Sequence, residues 1–233
     1  MPASPPERHF LRRLRLGDHQ AVLIFAALFL LVVTLKHGFT AFDLRALCVN
    51  AMPLALIALG QFLIVLARGL DLSLGPVASV AGAVMALTAT AHPALGLAAP
   101  LGIGLAAGLG NGLLVAVLRL PPIIVTLATM SIWQGIALVV LPDPGGSVPA
   151  GFQAIIVGGF SSPLIGILGL GLAGLAVAWL MSTRFGLHLR AIGGDEPAAR
   201  MSGVAVTRVK IGAYVLGGLF AALGGMYLAT ALS

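Results

Sequence analysis

Long apolar runs separated by short polar segments restrict the fold of this 233-residue sequence more than any other feature. A helix that crosses the hydrocarbon core of a bilayer needs about 20 mostly apolar residues. Soluble domains carry about 25% charged residues, whereas this chain carries 9% and cannot cover a water-facing surface. We therefore predict an all-α, polytopic membrane helix bundle with about seven transmembrane helices, at residues 20–36, 47–66, 75–91, 94–118, 122–141, 163–182 and 210–231.

The positions of lysine and arginine predict how these helices are oriented. Both residue types are enriched in the cytoplasmic segments of membrane proteins. With the N-terminus inside, the inner segments hold eleven of them and the outer segments hold two, Lys36 and Arg45. The sequence thus predicts residues 1–19 as a cytoplasmic N-terminal segment and 20–233 as one transmembrane domain with a cytoplasmic loop at 183–210. The net charge of +6 has the same origin, so nucleic acid is not expected as a partner.

The loop 183–210 contains the signals of a short helix set apart from the spans. Asp195 and Glu196 supply an N-cap and a first-turn acid, and Pro197 suits the first helical turn. Gly203 fits the position just after a helix end. A helix of about two turns is marginal in isolation, so it must pack against its own protein or a partner.

A boundary segment between the second and third spans carries an isolated acid. Asp71 or Ser73 is placed to cap the third span, and Arg68 lies three residues before Asp71. Carboxylates are favourable at helix N-termini. Capping together with an Arg68–Asp71 ion pair is the favoured interpretation, and a proton relay or cation site is the alternative.

Polar side chains inside the apolar runs are candidates for a solute pathway. Buried polar groups in membrane proteins commonly form hydrogen bonds between helices, and this interpretation stays open beside the pathway. The fifth span, 122–141, carries the most polar groups and is the favoured solute-facing span. The candidate pathway residues are Gln61, Asn111, Thr126, Thr129 and Gln134.

Small residues recur at every fourth position in two spans. Gly104, Gly108 and Gly112 do so in the fourth span, and Gly217 and Gly225 flank a small residue in the last. This spacing lets helix backbones approach closely. Packing within one chain is the favoured interpretation, and a contact between two copies is the alternative.

The sequence contains no motif for chemistry of its own. It has no G-x-x-x-x-G-K-[ST] segment for nucleotide phosphates, and its five histidines lie outside the predicted span interiors. No histidine can therefore activate a serine inside the membrane or join an acid in a metal site. We expect no catalytic residues, no metal and no cofactor.

Three segments together resemble the permease subunits of bacterial ATP-binding-cassette importers for monosaccharides, of the ribose, xylose and galactose type. Residues 69–75, GLDLSLG, are similar to the family segment GIDLSVG. Residues 111–115, NGLLV, and 120–130, LPPIIVTLATM, resemble its NG and PPFIxTLGTM segments. Residues 183–186, TRFG, and 191–204, AIGGDEPAARMSGV, resemble its TRFGR and AIGGNxxAARxSGI loop.

The resemblance implies a non-enzymatic, multi-pass subunit of the bacterial cytoplasmic (inner) membrane. In such importers two permeases, identical or different, form the pathway within the lipid membrane. A periplasmic sugar-binding protein delivers the sugar, and a separate cytoplasmic ATPase hydrolyses ATP. The resemblance also implies that residues 194–203 form the coupling helix that contacts the ATPase, through Gly194, Asp195, Glu196, Ala198, Ala199, Arg200, Ser202 and Gly203.

Two further expectations qualify this picture. Family members continue beyond this point with further spans, so we expect that the C-terminal spans are missing after Ser233. The competing function is a secondary transporter or channel that uses Asp71 as a coupling acid. Such transporters often carry charged residues near the bilayer midplane, whereas the span centres here carry none.

Overall fold

The computed structural model describes residues 20–36, 38–141, 145–156 and 163–233, and the predicted segment 1–19 lies outside this part. Two compact units make up the chain, Met1–Asp43 and Leu44–Ser233. Within the described ranges every regular element is a helix: α1 Gln20–Leu35, α2 Ala41–Leu66, α3 Leu74–Thr88, α4 Pro93–Ala116, α5 Pro122–Val140, α6 Ala150–Ile156, α7 Pro163–Ser182, α8 Arg184–Gly194, α9 Glu196–Met201 and α10 Val206–Leu232.

Each predicted span corresponds to one helix, which confirms an all-α membrane helix bundle. Among the described residues, α2, α4, α5 and α10 are long and apolar enough to cross a membrane. A fifth crossing results if Leu168–Ser182 and Arg184–Gly194, which meet at a bend of 77°, count as one broken span. The helices α1 and α3 are apolar but shorter. Seven crossings and an inside N-terminus remain predictions.

Proline sets the start of two of these helices. Pro93 lies in the first turn of α4 and Pro122 in the first turn of α5, where the missing amide hydrogen costs no internal hydrogen bond. The predicted break at 120–122 is therefore confirmed, since α4 ends at Ala116 and α5 begins at Pro122.

Close backbone approach holds α10 against α3 and α4. A methyl group at Gly218 would overlap the carbonyl oxygen of Gly104, and one at Gly225 would overlap that of Ala78. Since neither site leaves room for a Cβ atom, the glycines let the helix axes come together. Packing within one chain, the favoured interpretation of the small-residue spacing, is what the structure contains at these positions.

A hydrophobic cluster at one end of the bundle joins the end of α2 to α8, α9 and the first turns of α10. Its fully buried members include Leu63 from α2, Leu189 and Ile192 from α8, and Ala213 from α10. Ala199 of α9 is also part of this cluster. The two short helices are thus anchored to the bundle by apolar burial.

Candidate functional site

The predicted loop 183–210 consists of two helices and the first turn of a third. Residues 206–210 belong to α10, and α9 covers the predicted short helix. The helix α8 was missed by the sequence-based prediction. Its signals are present: Thr183 is its N-cap, accepting a hydrogen bond from the amide of Gly186 at 3.5 Å. Gly186 and Leu189 then start a buried stripe at three-residue spacing.

Arg68 caps the C-terminal end of α8. Its Nε donates to the carbonyl oxygen of Gly193 at 3.2 Å, and its Nη2 donates to that of Gly194 at 2.7 Å. The last carbonyls of a helix lack internal partners and carry partial negative charge, so a guanidinium group is favourable there. The predicted Arg68–Asp71 ion pair is therefore wrong: the arginine is bound to a helix end that lies 125 residues along the chain.

The short helix α9 has the cap that the sequence predicts. Oδ1 of Asp195 accepts a hydrogen bond from the amide of Ala198 at 3.2 Å. Pro197 lies in the first turn, and the chain leaves the helix through Gly203 at φ +84°. Asp195 also ends α8, so one residue closes the first helix and starts the second.

Glu196 ties α9 to the first turn of α10. Its Oε2 accepts from Nζ of Lys210 at 2.7 Å, and its Oε1 accepts from Nη2 of Arg200 at 3.3 Å. The hydrogen bond from Lys210 is the main reason that the pKa of Glu196 lies below its usual value, and Arg200 lowers it further. The carboxylate is therefore charged at neutral pH and bridges two cations on different helices.

One side of α9 is buried and the other is open. Ala199 faces the hydrophobic cluster, and Ala198 is half-buried, so neither is central to an outer surface. We call the open side the α9 outer face. It includes Met201, with 84% of its surface accessible. The remaining exposed residues of this face and its two ends are Gly194, Asp195, Pro197, Arg200, Ser202 and Gly203.

A buried polar group, the Asp71 cluster, consists of Asp71, Ser73 and Asn111. Oδ1 of Asp71 accepts from the amide and hydroxyl of Ser73, at 2.8 and 2.6 Å. Nδ2 of Asn111 reaches Oδ2 of Asp71 at 3.0 Å and the hydroxyl oxygen of Ser73 at 2.9 Å. Ser73 is the N-cap residue of α3, but its side chain makes no capping bond. The predicted side-chain cap is thus replaced by a link from the α2–α3 connection to α4.

The carbonyl oxygen of Leu70 receives two further contacts beside this cluster. Oγ1 of Thr126 donates to it at 3.3 Å, and the hydroxyl of Tyr214 approaches it at 3.5 Å. A methyl group at Gly69 would lie 2.6 Å from the Tyr214 hydroxyl oxygen, so a larger residue there would displace the Tyr214 side chain. Tyr214, from α10, escaped sequence-based prediction because an aromatic residue in an apolar span resembles ordinary core.

The candidate pathway residues occupy different environments. Asn111 and Thr126 are fully buried around the α2–α3 connection, and the hydroxyl of Thr129 bonds the carbonyl oxygen of Thr126 at 3.3 Å. Gln134 is exposed on α5, and Oε1 of Gln61 is buried without a hydrogen-bond partner among the described residues. The structure thus brings Asn111 and Thr126 together, and in its described part no hydrogen bond joins Gln61 or Gln134 to them.

Several proteins that are similar to this chain are named as permeases. Residues 44–233 match the family described as branched-chain amino acid transport system / permease component. The chain is 38% identical to a ribose import permease of Bacillus subtilis (strain 168), over 81% of this chain and 59% of that one. It is 33% identical to an L-arabinose transport system permease of Escherichia coli (strain K12), over 94% and 69%. An autoinducer 2 import system permease of Klebsiella pneumoniae is 33% identical over 90% and 62%. No solved structure matches the chain.

Proposed function

The chain belongs to the permease-component family of branched-chain amino acid transport systems, and from that membership we propose that it is a transmembrane permease subunit of an ATP-binding-cassette importer for a monosaccharide. Relatives named for ribose and L-arabinose transport support the sugar class. The chain spans 59% of the length of the Bacillus relative. In this proposal it is a multi-pass protein of the bacterial inner membrane and hydrolyses no ATP itself.

The α9 outer face is the observation that carries the proposal. A helix of six residues, capped at its start and fixed by a buried alanine, presents Arg200 and the largely exposed Met201 to its surroundings. An exposed methionine adapts well to a partner's surface. We assign this face as the contact for a separate cytoplasmic ATPase.

Two polar contacts and one apolar cluster connect α9 and the adjoining α8 to the rest of the bundle. Glu196 of α9 bonds Lys210 of α10, and Arg68, which follows α2, bonds the C-terminal end of α8. Partly exposed ion pairs contribute only about 0–1 kcal/mol each. Burying a side chain such as Leu189 contributes about 1.5–3 kcal/mol. The apolar cluster therefore holds α8 and α9 in place, and the ion pairs fix their register.

The Asp71 cluster serves in this proposal to fix the α2–α3 connection, not to couple ions. Each carboxylate oxygen of Asp71 already accepts a hydrogen bond, from Ser73 or from Asn111. The relatives named above are import and transport permeases, which favours the importer over a secondary transporter or channel. The further partners proposed are a periplasmic sugar-binding protein and a second permease, either a second copy or a homologue.

Cysteine cross-linking tests the ATPase contact directly. The chain has one cysteine, the buried Cys48, so Cys48→Ala provides a background free of thiols. In that background we expect Ser202→Cys, on the α9 outer face, to cross-link to the ATPase subunit when the two proteins are co-expressed. Ser131→Cys, exposed on the membrane helix α5, is the matched control and is expected to stay uncoupled. Equal cross-linking at both positions, or none at Ser202 in a co-purifying complex, would contradict the assignment.

A further inference from the structure

A pocket of about 340 Å³ opens beside α9, where the ends of α2 and α4 meet the start of α10. Its lining contains four cationic side chains, Arg68, Arg119, Arg200 and Lys210, and one acidic side chain, Glu196. The sequence-based prediction gave Arg68 an ion pair with Asp71 and placed Glu196 and Arg200 in the coupling helix. It did not predict that these residues share a pocket. Five charged side chains in one pocket of a chain that is 9% charged are a concentrated feature.

The backbone at this pocket is unusual at two positions. Arg68 has φ +58° and Arg119 has φ +56°, and they are the two non-glycine residues with positive φ in the described part of the chain. The left-handed conformation crowds a Cβ atom, which is why glycine commonly ends a helix in this way. Non-glycine residues in such conformations cluster at binding sites. Both strained residues are arginines, and both line the same pocket.

The four cations of the pocket differ in their hydrogen-bond and ion-pair partners. Glu196 bonds Lys210 and Arg200, and Arg68 gives Nε and Nη2 to the end of α8. Arg119 is exposed, and it makes no hydrogen bond and no ion pair with any residue that the structure describes. The pocket lining thus holds four cations and one carboxylate, and this excess of positive charge points to an anionic ligand.

The remaining lining identifies the class of anion. Guanidinium groups match the oxygens of a phosphate in a forked, two-bond geometry. Val115, Leu120 and Pro121 supply an apolar wall next to the charges. Basic pockets between transmembrane helices on the cytoplasmic side bind phospholipid headgroups, and the predicted orientation puts this pocket on that side. We propose that the pocket binds a phosphate group, supplied by an anionic phospholipid headgroup or by a soluble phosphate.

Thermal unfolding of the full chain in neutral detergent, followed by tryptophan fluorescence, tests this proposal because a ligand of the folded state raises the unfolding temperature. Three ligands are titrated separately: phosphatidylglycerol, phosphatidylcholine and inorganic phosphate. Phosphatidylglycerol alone raising the temperature identifies a lipid headgroup, and inorganic phosphate raising it identifies a soluble source. If neither raises the temperature above that seen with phosphatidylcholine, the proposal is refuted.

Two arginine variants separate the pocket from general surface charge. We expect Arg119→Gln to raise the half-saturating ligand concentration about tenfold, as loss of one charge-assisted contact does. Arg190→Gln removes another exposed charge, on α8 and outside the pocket lining, and should change the half-saturating ligand concentration by less than about twofold. Equal effects of the two variants would refute a defined site.

The variant Arg119→Gly shows whether a weaker ligand response results from loss of the guanidinium group or from a less stable fold. Glycine relieves the left-handed strain, so the unfolding temperature without ligand should rise or stay level. The half-saturating ligand concentration should nevertheless rise about tenfold, as for Arg119→Gln. If Arg119→Gly keeps the full ligand response, or if Arg119→Gln only weakens ATPase association and leaves phosphate binding intact, the pocket does not hold the phosphate.

Discussion

Asn111→Ala is the perturbation whose effect follows most directly from the structure. The asparagine lies in α4 with 1% of its surface accessible, and its Nδ2 serves both Asp71 and Ser73. Alanine removes both hydrogen bonds. Oδ2 of Asp71 then has no remaining donor among the described residues, and the α2–α3 connection loses its link to α4.

The size of the loss is the balance of three contributions. A hydrogen bond to a charged group contributes about 1.5–3 kcal/mol, and a neutral bond between membrane helices contributes about 0.6 kcal/mol. Against this, Oδ1 of Asn111 is buried without a partner in the described part of the chain, and its removal returns about 1 kcal/mol. The net destabilisation is about 1–2.5 kcal/mol, and each kcal/mol lowers the unfolding temperature by about 2–4 °C for a chain of this size.

Thermal unfolding in detergent, followed by tryptophan fluorescence, measures this loss against Asn50→Ala. Asn50 is exposed on α2, and its Nδ2 donates to Ala46 in its own helix. Such a surface change is expected to stay within about 0.5 kcal/mol. If Asn111→Ala unfolds no earlier than Asn50→Ala, the Asp71 cluster does not stabilise the fold in the way its geometry requires.

Three other outcomes follow from the same structure. Asp71→Asn should keep both folding and sugar uptake by the proposed importer. Asparagine preserves the shape of the side chain, and rotation of the Asn111 amide restores a hydrogen bond to it. Loss of uptake in a variant that folds would favour a role for Asp71 as a coupling acid. Gly218→Ala should destabilise by about 1–3 kcal/mol through backbone overlap, whereas Gly110→Ala, with open space around it, should be neutral or stabilising; equal unfolding temperatures would contradict the packing. Glu196→Gln should cost less than about 1 kcal/mol at pH 7. The pKa of Glu196 is lowered by Lys210, so this difference should persist above the usual value of 4.5 and disappear as pH falls below it; a difference that grows in acid would contradict the ion pair.

Local signals made α9 predictable from the sequence. Asp195, Pro197 and Gly203 each act within a few residues of their own position, as cap, first-turn residue and terminator. Such signals need no knowledge of the tertiary fold. The end of α4 and the start of α5 were predictable for the same reason, because Pro121 and Pro122 interrupt the backbone hydrogen bonds.

Contacts between distant segments were not predictable in the same way. Arg68 and Asp71 are neighbours in sequence, yet Arg68 bonds Gly193 and Gly194, and Asp71 bonds Asn111. Which partner each of these two side chains binds depends on the helix end or side chain that the fold brings close to it. Sequence spacing alone therefore favoured a local ion pair, whereas unpaired helix carbonyls and a buried amide compete more effectively for these charges.

One face of α10 connects the candidate coupling helix to the buried polar cluster. Lys210, Tyr214 and Gly218 follow one another at four-residue spacing, so they lie on the same side of the helix. Lys210 bonds Glu196 of α9, and the hydroxyl of Tyr214 lies against the Leu70 carbonyl. Gly218 meets the backbone of α4 without an intervening side chain. A displacement of α9 that keeps the Lys210–Glu196 contact would therefore act first on the contacts that α10 makes with the α2–α3 connection and with α4.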